Sequence, residues 1–389
     1  MRGIGKIRAV ALREIRLWRQ RPLYIIGSLF VIAFSTVFYL TLLGSGMPSK
    51  LPIGVVDEDG SSLTRNIIRQ LDATQLGAVV RYDTFSEARA DMQKGRITSV
   101  VVFPEDFYAD VLNGVKPVVP FYLNELYFVG GSLAYKDILT KLNLAAGAVT
   151  RETLRARGVD EELIMGELRP VNIDTHQIGN VTTDYGVYLN NVLLPGTLQM
   201  VVILFLVYSL GTELKYGTSR HLLATARGSM QAALGGKLLV YTLYFTLLGF
   251  SLVLLLYRWL HYPMAGSVWN MLLAILLLVL SSEAVALLII EAVPVCRFAI
   301  SIAALYSILG FSMAGFTLPV ELMPRGIRGL SEIFPLRHYY LFYVQEAFFG
   351  AGFAGWWKEV VHLLLFLLPP TLGVRRLEDA YVHQNYPKD

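Results

Sequence analysis

Few side chains in this sequence stand where they could do chemistry, and Lys237 is the first to weigh. It closes Gly235-Gly236-Lys237-Leu238, the nearest approach to a phosphate-cradling loop. Such a loop reads Gly-x-x-x-x-Gly-Lys-[Ser/Thr], its backbone N–H groups holding phosphates and its hydroxyl holding magnesium. Here the first glycine is misplaced and the hydroxyl is missing, so this device cannot bind and hydrolyse ATP. Neither a Gly-x-Ser-x-Gly elbow nor a His-Glu-x-x-His pair occurs, and no catalytic residue is assigned. If the protein moves anything uphill, the energy comes from a separate ATPase or from an ion gradient.

A gradient needs ionisable groups inside the membrane, where a charge costs at least about 2.5 to 3.5 kcal/mol. Glu283 alone sits well inside an apolar run, with no basic partner in sight, which favours a structural role between helices over a proton relay. Asn190, Asn191 and Gln199 offer either a polar-lined path or interhelical hydrogen bonds. Asp57-Glu58-Asp59-Gly60 resembles the start of a calcium loop, but position twelve is Ile68, so a turn capping the next helix is the better reading. Cys296 is the single cysteine, and the six histidines form no Cys/His cluster at zinc spacing, so no metal site is expected.

The elements that carry these residues belong to a membrane protein. The chain has 389 residues, 54% hydrophobic and 16% charged, with a mean hydropathy of +0.50. Its net charge of +4 is small and gathered at the edges of apolar runs, so charge reads as topology and nucleic acid is not an expected partner. Residues 1–22 carry arginines interleaved with Ile4, Ile7, Ala11, Ile15 and Trp18 at helical spacing, an amphipathic helix lying in the cytoplasmic interface. Residues 23–43 form a first span, long enough at about 1.5 Å per residue to cross a hydrocarbon core of roughly 30 Å.

From 44 to 187 the pattern becomes α/β, and parity places it outside the cytoplasm. Strands are expected at 51–56, 78–82, 97–103 and 118–123, with helices between them and a longer one over 131–157, whose stripe of Tyr135, Ile138, Leu142, Ala145 and Val149 packs on its own sheet or on a second subunit. The Gly44-to-Pro48 run reads as a linker. Residues 188–374 hold spans two to six, with a polar cytoplasmic loop at 211–237. A Pro-divided, aromatic-rich region at 319–355 is expected to be re-entrant or extracytoplasmic. Arg375 and Arg376 hold a tail, 375–389, in the cytoplasm. The fold class is thus a polytopic α-helical membrane protein of six spans, both termini cytoplasmic, with an inserted extracytoplasmic α/β domain.

The loop supplies the most informative residues. Glu213-Leu214-Lys215-Tyr216-Gly217-Thr218, then Leu222-Leu223-Ala224-Thr225 and Gly236-Lys237, resembles an Arg-Glu-x-Glu-x-Gly-Thr-x-Glu-x-Leu-Leu-x-Thr-Pro stretch ending in Gly-Lys. That stretch belongs to the type-2 permease family of bacterial ABC exporter membrane subunits, in particular those with a large domain between the first two spans. Arg13-Glu14 with Arg19-Gln20-Arg21-Pro22 is similar to that family's approach to the first span. Val55-Val56-Asp57, Val101-Val102-Phe103-Pro104 and Tyr122-Leu123-Asn124 fit its outer domain. The departures are Thr212, Arg220, Ala226 and Arg21, of which Arg220 and Ala226 bear on loop geometry and partner identity.

The resemblance implies a permease dimer, homomeric or heteromeric, in the bacterial inner membrane. It implies no cofactor on this chain, with ATP and magnesium on a cytoplasmic ABC ATPase subunit, and contact with membrane lipid, a periplasmic adaptor and an outer-membrane channel. Arg13, Glu14, Glu213, Lys215, Tyr216, Gly217, Thr218, Leu222, Leu223 and Thr225 would then couple to the ATPase. Asn190, Asn191 and Gln199, with Tyr306, Met313 and Phe316 on the fifth span, would line the path of a hydrophobic or amphipathic substrate, drug-like or lipid-like. A receptor or scaffold acting through its outer domain is the alternative, and it needs fewer spans than this sequence has.

Overall fold

The structure is a computed structural model that describes residues 2–44, 46, 50–74, 77–124, 128–168, 179–180, 183–384 and 386. The chain divides into two compact units, Met1–Gly46 with Gln177–Asp389, and Met47–His176. Ser45, Met47 and Pro48 of the expected linker lie outside the described residues.

Helix α1, Arg2–Gln20, is amphipathic as its spacing requires, but the stripe it buries differs from the expected one. Val10, Glu14 and Trp18 are buried and Ile7 half-buried, whereas Ile4 and Ile15 are exposed. The reason is a close approach to backbone: a Cβ on Gly236 would lie 2.6 Å from both the Ile7 carbonyl oxygen and Val10 Cβ. Docking on that glycine turns the face 7-10-14-18 inward and carries a carboxylate with it. A π-helical turn, Leu23–Gly27, leads into α2, Ser28–Leu42.

In the α/β unit, β1 (Leu51–Asp57), α3 (Ser62–Asp72), β2 (Gly77–Tyr82), α4 (Phe85–Gln93), β3 (Ser99–Phe103), α5 (Phe107–Leu112) and β4 (Phe121–Leu123) alternate as the sequence pattern requires. The sheet order is β2-β1-β3-β4, with β1 parallel to both neighbours and β4 antiparallel to β3. Every residue of β3 is buried, as a central strand covered on both faces must be. Helix α6, Phe128–Ala156, packs Ile138, Leu142 and Ala145 onto this sheet's own core, and α7, Glu161–Leu168, follows. The acidic turn is a cap: Asp57 Oδ1 accepts from the Gly60 N–H at 3.0 Å, and Ser61 Oγ from the Thr64 N–H at 3.2 Å.

The rest of the first unit is a helical bundle of α8 (Tyr185–Lys215), α9 (Ser219–Thr225), α10 (Met230–Leu254, continued by a π-turn to Trp259), α11 (Val268–Ala292) and α12 (Cys296–Met313). Short helices α13 (Arg325–Ser331) and α14 (Pro335–Tyr343) follow, divided by Pro335 at a helix start, then α15 (Gly352–Leu365) and α16 (Pro370–His383). Among the described residues, six helical stretches are long and apolar enough to cross a membrane: 23–42, 185–215, 230–259, 268–292, 296–313 and 352–383. Helix α8 is buried along most of its length and forms the centre of the bundle.

Two boundaries differ from expectation. The polar loop over 211–237 is mostly helix, since α8 runs on to Lys215 and α10 starts at Met230, leaving only a short helix-bearing turn between them. The last apolar helical stretch starts at Gly352, inside the region expected to be re-entrant or extracytoplasmic, and residues 375–383 continue α16 rather than hanging as a tail. Tyr381 OH donates to the Leu210 carbonyl oxygen at 2.9 Å, and Ser219 Oγ to the Tyr381 carbonyl oxygen at 2.8 Å, which pins α16 beneath α8 and α9.

Candidate functional site

Where α1, α8 and α10 meet, four charged side chains close on one another. Arg13 reaches Glu213 with both terminal nitrogens, Nη1 to Oε1 at 2.8 Å and Nη2 to Oε2 at 3.0 Å. Lys237 Nζ donates to Glu14 Oε2 at 3.0 Å and to Glu213 Oε1 at 3.1 Å. Ser209 Oγ and Tyr241 OH complete Glu14 Oε1, at 3.3 and 3.4 Å, and Trp18 Nε1 donates to Tyr241 OH at 3.3 Å. Thr218 Oγ1 donates to Glu213 Oε2 at 2.6 Å, which ties the turn after α8 to the same carboxylate. Two cations face two anions, so the cluster is neutral, and its polar atoms are satisfied, the condition under which ions tolerate burial. Burial works against the Arg13 charge, but the hydrogen bond and charge of Glu213, with Glu14 adding to them, hold its guanidinium above its ordinary value.

This geometry explains why the helices invade the predicted loop. Glu213 and Lys237 are polar by composition, yet each is the other's partner, so both stay inside helices with their side chains buried. It also disposes of Lys237 as a phosphate ligand, because its ammonium is enclosed by carboxylates and Gly236 is filled by α1.

The short turn divides into an inward and an outward side. Leu222 and Ser219 are buried, Thr218, Leu223 and Thr225 are half-buried, and Lys215, Tyr216, Gly217, Arg220, His221 and Ala224 are exposed. Gly217 has φ +68°, a left-handed conformation that glycine adopts without strain. Two cations approach the Tyr216 ring, the Arg21 guanidinium at 5.4 Å and the Lys215 ammonium at 5.6 Å from its centre. Arg13 Nε also reaches His221 Nδ1 at 3.2 Å, so the buried cluster touches the exposed side of α9. Ala226 is fully buried, whereas Arg220 is exposed.

Of the candidates, Arg13, Glu14, Glu213 and Thr218 are brought together as bracing, Lys215, Tyr216 and Gly217 form the outer surface, and Leu222 is packing. Sequence reasoning missed Lys237 as the partner of Glu14, and missed Ser209 and Tyr241. A signal existed: Glu14 stands four residues from both Val10 and Trp18, inside the stripe that a helix buries.

The candidate path residues make contacts within the bundle. Asn191 is consumed, its amide donating to the Val187 carbonyl oxygen and its oxygen accepting from Tyr257 OH, both at 2.8 Å. Asn190 donates to Tyr262 OH at 2.8 Å. Gln199 faces α12, where a Cβ on Gly310 would lie 3.3 Å from its Nε2. Tyr306 bonds the Ile333 carbonyl oxygen, Phe316 offers its own carbonyl oxygen to Tyr188, and Met313 is half-buried. Small residues bring α8 and α12 together: a Cβ on Gly196 would meet Phe311 Cε1 at 2.4 Å, and one on Gly211 would meet Cys296 Cβ at 2.8 Å. Glu283 accepts from Thr242 Oγ1 at 2.7 Å, joining α11 to α10.

Comparison with known proteins agrees with this architecture. The family described as ABC-2 family transporter protein matches residues 21–368. The inner membrane transport permease YhhJ of Escherichia coli (strain K12) is 23% identical over 345 residues, which cover 87% of each chain, and its Shigella flexneri counterpart matches to the same extent. The protein is a multi-pass component of the cytoplasmic membrane and the permease-type membrane subunit of an ABC transporter, a family role that implies an ABC ATPase subunit as partner. With a match spanning most of its length, the chain belongs to the ABC-2 family of transporter proteins.

Proposed function

We propose that this permease is the membrane half of an exporter, with α1 and the α8–α10 turn as the seat of its ATPase. The observation that carries the reading is the neutral Arg13–Glu14–Glu213–Lys237 cluster, which joins the interfacial helix, the second span and the third span directly behind the exposed turn. A push on Lys215, Tyr216, Arg220 and Ala224 meets a braced lever rather than a pliant loop. The lever is α8, and its glycine contacts pass the displacement to α12.

In this reading ATP and magnesium stay on the partner subunit, two permeases form the path, and the substrate is hydrophobic or amphipathic, drug-like or lipid-like. Arg8, Arg16, Arg19, Arg227, Arg375 and Arg376 all belong to elements that pack at the α1 end of the bundle, which supports placing that end, and both termini, in the cytoplasm. Residues 47–176 then lie outside, where a periplasmic adaptor and an outer-membrane channel would be met. Co-expression with a cognate ABC ATPase subunit tests the idea. Stable co-purification that is lost on Tyr216→Ala with Arg220→Glu is the expected result; retention of the complex and of transport would remove the turn as the seat.

A further inference from the structure

One face of the sheet in the α/β unit is covered by α3, α5 and α6, and that cover is incomplete. A partly open cavity of about 660 Å³ remains between α5, α6 and the segment 113–117. Packed interiors leave few voids larger than a water molecule, whereas pockets that hold small molecules run from about 300 to 1,000 Å³. The space is therefore of ligand size rather than a packing defect.

Its floor is apolar and buried. Ile67, Phe103 and Phe107 line it, the two rings edge to face with centroids 5.5 Å apart. On the α6 side stand Ala145 and Ala146, whose side chains are too short to fill the gap. Two threonines on the same helix add little polarity. Thr150 Oγ1 donates to the Ala146 carbonyl oxygen and Thr153 Oγ1 to that of Val149, both at 2.9 Å, so neither hydroxyl has a proton left for a ligand.

The donors that remain are the Asn143 amide and two cations, Lys116 and Arg157. Both cations are exposed, and among the described residues neither has a carboxylate partner and no acidic side chain lines the cavity. They belong to the same end of it. Gly114 has φ +74°, and a Cβ there would lie 3.4 Å from Arg157 Nη2, so the guanidinium rests against the segment 113–117 two residues from Lys116. An apolar cleft that ends in unpaired cations is complementary to a molecule with an alkyl chain and an anionic head. A guanidinium favours a carboxylate in particular, which it can hold with two parallel hydrogen bonds.

We propose that the cavity between α5 and α6 is a binding site for a single-chain anionic amphiphile of the fatty-acid class, its chain against Phe103 and Phe107 and its carboxylate at Lys116 and Arg157. Binding to this unit does not depend on where the ATPase sits, so failure of the co-purification experiment leaves the site untouched.

The test uses the full chain in phosphatidylcholine nanodiscs with hexadecanoic acid that carries a photoactivatable diazirine in its chain. After irradiation and proteolysis, mass spectrometry should find adducts on residues 103–121 and 142–157, displaced by excess hexadecanoate but not by hexadecanol. Lys116→Glu with Arg157→Glu should lower that labelling at least about tenfold, while labelling of the membrane spans, an internal control, stays constant. Ala146→Trp, at an exposed position, should block the cavity with both cations intact, and a thermal melt confirms that each variant is folded. Labelling confined to the spans would overturn the proposal and make the groove a seat for another polypeptide. Labelling that survives both variants, or equal competition by hexadecanol, would overturn it as well.

Discussion

Glu14 and Lys237, 223 residues apart in the chain, meet at 3.0 Å with both side chains almost completely shielded from solvent. Buried pairs of this kind add little net stability, because desolvation offsets attraction, but losing one partner strands the other. Lys237→Met should therefore destabilise the protein by about 3–5 kcal/mol, and adding Glu14→Gln should recover much of the loss. Chemical denaturation in detergent measures both. A single variant that melts like the parent would show that the cluster tolerates an unpaired carboxylate.

Arg13 and Glu213 form the bidentate half of the cluster. A double-mutant cycle with Arg13→Ala and Glu213→Gln should give an interaction energy of about 1–3 kcal/mol. The same variants should lose ATPase co-purification to similar extents, with the double variant no worse than either single. Additive losses would mean that the two residues meet the partner separately.

Gly217 and Tyr216 separate folding from docking. Alanine at Gly217 must adopt φ +68° and would place a Cβ 3.1 Å from Gln384 Oε1. The expected cost is about 1–2 kcal/mol. Tyr216→Ala, at an exposed ring, should stay within about 0.5 kcal/mol of the parent in stability and still lose the ATPase. If the two variants behaved alike in both assays, the exposed ring would have no role of its own.

The contact between α8 and α12 is set by glycine. Gly196→Ala should cost about 1–3 kcal/mol by overpacking, since the new methyl meets the Phe311 ring at 2.4 Å. Phe311→Leu in the same chain should restore part of the loss. A melting temperature unmoved by the alanine alone would show that the two helices part readily.

Glu283 is predicted to work as a hydrogen-bond acceptor rather than as a charge. Glutamine keeps an oxygen for Thr242 Oγ1, now 2.7 Å from the carboxylate. Glu283→Gln should leave stability within about 0.5 kcal/mol and transport intact. Loss of transport with a normal melt would revive a proton-relay role.

Much of the fold is legible along the chain because it depends on local periodicity. The strands of the α/β unit and its caps follow from alternating apolar runs and from Ser61 and Thr84 at helix starts, whose side chains accept from the Thr64 and Glu87 N–H groups. The spans follow from uncharged length. Ends are less legible when a polar residue is neutralised by a distant one, which is why α8 and α10 extend past the edges that Glu213 and Lys237 mark in the sequence.

Hydropathy, period and motif are properties of neighbours in the chain, and they suffice to read off the stretches long and apolar enough to cross a membrane, the α/β insertion between the first two, and a sequence without the Gly-x-x-x-x-Gly-Lys-[Ser/Thr] pattern. The pairing of Glu14 with Lys237, the use of the Asn191 amide inside the bundle and the meeting of His338 with Glu359 and His362 are set in space instead. Those outcomes depend on which helix faces pack together, and burial makes a charge seek its partner across the fold rather than along the chain.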